Sequence, residues 1–351
     1  MEIGLFSNGE RLNQIAKTTY DEDLAEVILA DDLGVQEAWI SEHGTFIRYQ
    51  APDQLPCAEL FICKATALTK QIRMGPGIRP LPYFHPLQVA TDAAVCDHLT
   101  NGRYMAGFGV GLGSKTPQRG PLPGDTRAMT QEAIDLILTA WTAPEPFDWH
   151  GEFWQGEKLL IIPQPLTKPH MEVGMACSRS EGTLELSAQK GFIPLLSWVP
   201  LPKQLKEMIE IYRRAGAEAH RSAPLSRVRV ARMVYVTDSV QQAKHDLREV
   251  DLGAAKVTGR LNHYIPAGGT RDDLTMEYMI DQGAFFCGDP DTVYRGIKDL
   301  YDEIGGFGVL LLLAGKDWGT REQRERSMRL FMSDVAPRLA NLDPDNVAAE
   351  H

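Results

Sequence analysis

Two apolar rhythms alternate along the chain. Short, nearly continuous apolar runs occur at residues 3–6, 35–41, 72–78, 104–110, 173–176, 192–198, 228–237 and 309–314. Between them lie longer stretches in which apolar residues return every three or four positions. In 20–33, Leu24, Val27, Ile28 and Ala30 share one face and Gly34 follows; in 126–142, Met129, Ala133, Leu136, Ile137 and Ala140 do the same. A period of about 3.6 residues predicts helix, whereas a short run that is apolar at every position predicts a strand covered on both faces, as in a parallel sheet. Further helices are predicted at 57–68, 85–99, 202–215, 240–250 and 290–304, with a last one ending near 339. Strands alternating with helices, and no linker rich in Pro, Gly or Ser, predict an α/β chain folded as one (β/α)8 TIM barrel over 1–340, with a tail at 341–351. An open doubly wound sheet fits less well, because the glycine-rich run 107–113 leads into a proline-rich loop and not into a helix. Residues 253–286, which contain PAGGTRDD, look irregular and predict a mobile lid before the last strand. An insertion carrying Trp149, Phe153 and Trp154 is either a set of pocket aromatics or an apolar patch on the barrel.

Residues 172–198 hold the most informative local pattern. An apolar run at 173–176 meets the polar turn Cys177-Ser178-Arg179-Ser180. A helix follows with Leu184, Leu186 and Ala188 inward, and Gly191 closes it before the next apolar run. This βαβ unit places Ser180 and Thr183 at a helix N-terminus, where unpaired N–H groups and the helix dipole hold anions; Arg179 adds a cation. From spacing alone, an ordinary helix cap fits these residues as well.

Composition narrows the partners. A net charge of −11 without a basic run argues against nucleic acid and anionic membranes, but leaves room for a small phosphorylated ligand. The start, MEIGLFSNGE, has neither a basic leader nor a long apolar span, so no signal peptide or membrane helix is expected and the cytoplasm is the expected location. The five cysteines are scattered, form no C-x-x-C pair and lack metal-ligand spacing, which predicts reduced thiols and no metal.

Several segments together resemble the bacterial luciferase-like flavin-dependent monooxygenase family. They are AWISEHG at 38–44, PLPYFHP at 80–86, DHLTNGRYMAGFGVGLG at 97–113, TRAMTQEAIDLI at 126–137, the 172–198 unit, CGDPDTVYRGI at 287–297 and MRLFMSDVAPRL at 328–339. The resemblance covers most of the chain in the same order. It implies a barrel whose C-terminal mouth binds reduced FMN delivered by a separate NAD(P)H:flavin reductase. O2 would add at the flavin C4a carbon, and the resulting (hydro)peroxyflavin would oxygenate a small apolar substrate such as an aldehyde, ketone, terpene or aromatic.

Residue by residue, the resemblance implies that His43 is the catalytic histidine, able to take or return a proton near neutrality. It implies phosphate contacts from Arg127, Ser180 and Thr183, a non-prolyl cis peptide at Gly77-Ile78 beneath the isoalloxazine, and Trp198 as a wall of the ring pocket. Two positions depart from the family: its second histidine is Gly44 here, and an arginine that often follows the fourth strand is Val110. Arg179 is a candidate to restore that lost charge. The resemblance also implies a homodimer. Two other readings of the same fold are a deazaflavin F420-dependent oxidoreductase and a non-catalytic flavin-binding paralogue.

Overall fold

The computed structural model describes residues 1–11, 15–42, 55–111, 125–177, 180–248, 262–265, 268–282, 284–316 and 318–347. Its strands are β1 (Glu2–Glu10), β2 (Glu37–Ile40), β3 (Arg73–Pro76), β4 (Arg79–Pro80), β5 (Ala106–Gly109), β6 (Phe147–His150), β7 (Gln155–Leu159), β8 (Val173–Cys177), β9 (Ile193–Leu196), β10 (Arg229–Val236), β11 (Phe285–Gly288) and β12 (Val309–Lys316). The helices used below are α1 (Ala16–Asp32), α2 (Ala58–Thr66), α3 (Pro86–Leu99), α4 (Thr126–Thr142), α5 (Glu181–Lys190), α6 (Pro202–Glu218), α7 (Val240–Asp246), α8 (Met276–Asp281), α9 (Pro290–Ile304) and α10 (Arg321–Leu330).

The main sheet runs in the order β3-β2-β1-β12-β10-β9-β8-β5-β4, with parallel pairing throughout. A parallel bridge between Met74 and Tyr104 joins β3 to the start of β5 and brings the ring round on itself. All eight predicted strands lie in this ring, and the fold is a TIM barrel.

The unbroken apolar runs have a two-sided cause. Trp39, Met105, Ile193, Leu195, Ala231, Val309 and Leu311 fill the barrel interior, while alternate residues such as Ala38, Val230 and Leu310 pack outward under the helices. Trp39 is fully buried and governs the space around it: a Cβ on Gly174 would lie 2.5 Å from its ring. A side chain there would displace the largest residue of the barrel core.

The N-terminal end of the barrel is closed by charge. Glu37, fully buried, accepts from Arg229 at 2.9 and 3.1 Å, from Arg73 at 3.2 Å and from the Trp39 indole at 2.8 Å. Burial opposes its ionisation, but the two arginines and the indole N–H outweigh it and hold the carboxyl below the usual glutamate range. Glu172 extends the cluster by pairing with Arg73 and Arg227.

Two stretches differ from the pattern-based expectation. Residues 253–286 are not irregular throughout. Met276, Met279 and Ile280 fall on one buried face of α8, and Phe285 begins β11, which pairs in parallel with the C-terminal half of β10. These elements escape a periodicity search because each spans only a turn or two. The insertion before β8 is an antiparallel hairpin, β6–β7, gathered round α4. The Glu132 carboxylate accepts the backbone N–H groups of Glu152, Phe153 and Trp154, and Trp149 donates its indole N–H to it.

Candidate active site

The C-terminal strand ends carry the polar and apolar groups that the fold has not used. After β3 the chain is tied to the end of β2 by the Gly77 N–H, which donates to the Ile40 carbonyl at 2.6 Å. The next peptide, Gly77-Ile78, is cis. Ile78, Phe6 and Trp198 are each partly buried and pack on top of the Trp39 layer, so the interior ends at the mouth in an apolar floor. Gly77 and Gly109 make that floor possible. A Cβ on Gly77 would sit 3.0 Å from the Phe6 ring, and one on Gly109 would meet the Ile78 side chain at 2.9 Å.

Val110, directly after Gly109, leads into a cavity of about 280 Å³ between α4 and α5. Its walls include Val110 and Met175 on the barrel side, Arg127 and Gln131 from α4, and Ser180, Thr183 and Glu185 from α5. Ser180 holds the cap position of α5 with extended backbone dihedrals, yet its hydroxyl makes no capping bond. Its carbonyl accepts from the Thr183 and Leu184 N–H groups, which leaves the amides of Glu181 and Gly182 at the open end of the helix. On α4 the cap is Asp125, whose side chain accepts the Arg127 N–H at 2.8 Å. The exposed Arg127 guanidinium is thus not consumed in capping. Among the described residues, no hydrogen bond or ion pair engages the side chains of Arg127, Ser180 or Thr183. A cation, two hydroxyls and a helix N-terminus line one cavity, a set of groups whose chemistry suits an anion; the Glu185 carboxylate stands at its edge. Cys177, which ends β8 beside it, is buried, and burial pushes its thiol far above the ordinary range.

Of the residues singled out in the sequence, Arg127, Ser180 and Thr183 thus come together in one cavity. Gly77, Ile78 and Trp198 come together at the apolar floor next to it. Gly109 and Val110 join the two, since one touches Ile78 and the other lines the cavity. His43 and Arg179 lie outside the described residues. Trp149, Phe153 and Trp154 do not line the cavity beside Arg127.

Two features have no sequence signature. Phe6 faces Gly77 because of the register of β1, and a continuous apolar run does not reveal which residues point inward. The second feature surrounds Arg79, which follows the cis peptide. It pairs with Glu42 at 3.1 Å, Glu59 at 2.8 Å and Asp92 at 3.6 Å, and stacks 3.7 Å from the centre of the Phe84 ring. Those partners come from the end of β2, from α2 and from α3, so only the tertiary fold assembles them.

The two regions differ in chemistry: one offers a cation and hydroxyls, the other apolar side chains. Among the described residues there is no cluster of His, Cys, Asp or Glu able to hold a metal ion, and no helix long and apolar enough to cross a membrane. Comparison with known proteins points the same way. The luciferase-like monooxygenase family profile matches residues 1–306. The chain is 31% identical to 4-hydroxyprotoasukamycin monooxygenase of Streptomyces nodosus subsp. asukaensis, over 94% of this chain and 89% of that protein. It is 27% identical to limonene 1,2-monooxygenase of Rhodococcus erythropolis, over 93% and 83%. Among solved structures, the oxygenating constituent of 3,6-diketocamphane monooxygenase from Pseudomonas putida, a type II Baeyer–Villiger monooxygenase in complex with FMN, superposes with a TM-score of 0.84. It is 26% identical, over 96% of this chain and 98% of that one.

Proposed function

The chain belongs to the luciferase-like monooxygenase family, and on that premise we propose that it is the oxygenating half of a two-component FMN-dependent monooxygenase acting on a small apolar substrate. The observation that carries this reading is the pairing of an anion cavity with an apolar floor at the mouth of one barrel. Arg127, Ser180, Thr183 and the open end of α5 hold the FMN phosphate; Gly77, Ile78 and Trp198 carry the ring. When bound in reduced form, FMN supplies the electrons that activate O2. The protein's share is to orient the ring, exclude water and manage protons. Ile78, Phe6 and Trp198 offer no hydrogen-bonding side-chain group except the Trp198 indole, so they keep the ring face dry. His43 is the group that takes or returns a proton, and Arg179 supplements the charge near the phosphate.

Further parts of the reading rest on the relatives and on the family pattern. The limonene and diketocamphane enzymes act on apolar substrates, and the latter's known structure is an oxygenating constituent, which supports a separate NAD(P)H:flavin reductase as partner. We place the protein in the cytoplasm as a homodimer, with residues 1–340 as the barrel and residues within 253–286 as the lid over its mouth.

The deciding experiment is an anaerobic titration with reduced FMN, oxidised FMN and F420, followed by air and a panel of apolar ketones, aldehydes and terpenes. Preferential binding of reduced FMN, with one oxygen atom from O2 appearing in a product, is the expected result. Binding of F420 alone with no oxygen uptake would overturn it in favour of hydride transfer. Flavin binding unaltered by His43→Ala, with no product in either protein, would favour a non-catalytic role.

A further inference from the structure

Cys63 on α2 and Cys96 on α3 face each other across the helix pair with their sulfur atoms 3.6 Å apart. Cys96 is buried and Cys63 half-buried. Each is one helical turn from a carboxylate that pairs with Arg79: Glu59 precedes Cys63 by four residues on α2, and Asp92 precedes Cys96 by four on α3. Two rungs therefore join α2 to α3, one ionic and one of thiols, directly behind the segment that carries Gly77 and Ile78.

We propose that Cys63 and Cys96 are a modification site, a dithiol that hydrogen peroxide closes to an intrachain disulfide between α2 and α3. The Cys63 thiolate attacks one peroxide oxygen; the O–O bond breaks, a sulfenic acid forms on Cys63, and the departing oxygen leaves as water with the thiol proton. The Cys96 sulfur then attacks the Cys63 sulfur, the S–O bond breaks and a second water departs. Two thiols and one peroxide become one disulfide and two waters, with both electrons accepted by the peroxide. The sulfurs must close by about 1.5 Å to reach S–S bonding distance.

The order of attack follows from the surroundings of each thiol. In the thiol pair Cys63 donates to Cys96; once Cys63 is deprotonated the Cys96 thiol can donate in return, and this contact lowers the Cys63 pKa against smaller opposing effects of burial and of Glu59. The other cysteines are pushed the opposite way. Burial raises Cys57 and Cys177, and raises Cys287 to about 12. Cys63 is the single thiol of the five that is both partly accessible and shifted toward the reactive form. This site does not depend on which cofactor occupies the barrel mouth.

The test uses the full-length reduced protein exposed to one equivalent of hydrogen peroxide, then denatured, alkylated and digested for peptide mapping. Titratable thiols are expected to fall from five to three, with the loss found in one linked peptide joining Cys63 to Cys96 and reversed by dithiothreitol. In Cys96→Ser the link is lost and a dimedone-reactive sulfenic acid stays on Cys63; in Cys63→Ser, Cys96 stays a thiol. Five thiols persisting under peroxide that oxidises free cysteine would overturn the proposal. So would oxidation that begins at Cys57, or a crosslink between two chains.

Discussion

At the N-terminal end of the barrel, Glu37 and Arg229 are both nearly inaccessible, and the charges of their cluster pair with one another, with Arg73, Arg227 and Glu172 completing the set. At the C-terminal end, the Arg127 guanidinium and the Ser180 and Thr183 hydroxyls face a cavity, and among the described residues nothing hydrogen-bonds them. Both ends belong to the same strands and their loops, and the difference is one of purpose. Polar groups that satisfy one another close a barrel and specify its register; polar groups left with spare capacity can hold a ligand. The price of the second arrangement is small because Arg127 remains exposed to water, whereas a spare charge at the position of Glu37 would be costly.

Three changes probe that contrast, in order of expected size. Glu37→Gln leaves the Arg229 guanidinium buried without its counter-charge, and we expect a loss of about 3–5 kcal/mol in urea unfolding. Flavin affinity of the folded fraction should be unchanged. A loss of flavin binding with stability intact would mean that the N-terminal cluster serves the site after all. Arg127→Ala is expected to reverse that profile, weakening reduced FMN roughly 10- to 100-fold in an anaerobic titration, about 1.4–2.7 kcal/mol. Its unfolding midpoint should stay close to that of the wild type.

The smallest effect concerns a third group of charges, beside β1 and β12. Arg11, fully buried, pairs there with Glu22, Asp23 and Glu26, and Arg324 binds Glu22 and Glu26. Among the described residues, these ion pairs join three carboxylates to two arginines. Burial pushes Asp23 up to about 6, with Glu26 adding repulsion, while Arg11 acts to hold it down. A folded-state value above the unfolded one means that the native protein binds this proton more tightly, so stability from Asp23 grows as pH falls from 7 toward 5. The gain, about 1 kcal/mol or less, is expected in wild type and absent in Asp23→Asn when unfolding is followed across that range. A wild type and variant with parallel pH curves would place the excess charge elsewhere in the cluster.

The 172–198 unit is legible almost in full from its local pattern of residues. Its two apolar runs are β8 and β9, Ser180 is the helix cap, and Gly191 ends α5 in the left-handed conformation at φ 71°. These features depend on neighbours within a few residues, so local chemistry settles them. The eight strands expected from the apolar runs are legible for a related reason, since a strand buried on both faces must be apolar at nearly every position, whereas the two-residue β4 is too short to leave such a run. Elements of one or two turns, such as α8, and the hairpin folded round Glu132 are not, because they are stable only in contact with what they cover.

Sequence by itself determined the alternation of strand and helix, the charge balance, and the residue types able to hold a phosphate. Tertiary structure alone decided which of them meet. Arg127 and Ser180 are more than fifty residues apart in the chain and share a cavity because β5 and β8 are neighbours in the ring. Glu42, Glu59 and Asp92 converge on Arg79, and Cys63 reaches Cys96, because α2 packs on α3. Periodicity reports how each segment divides between inside and outside; the closure of the ring decides which residues the inside brings into contact.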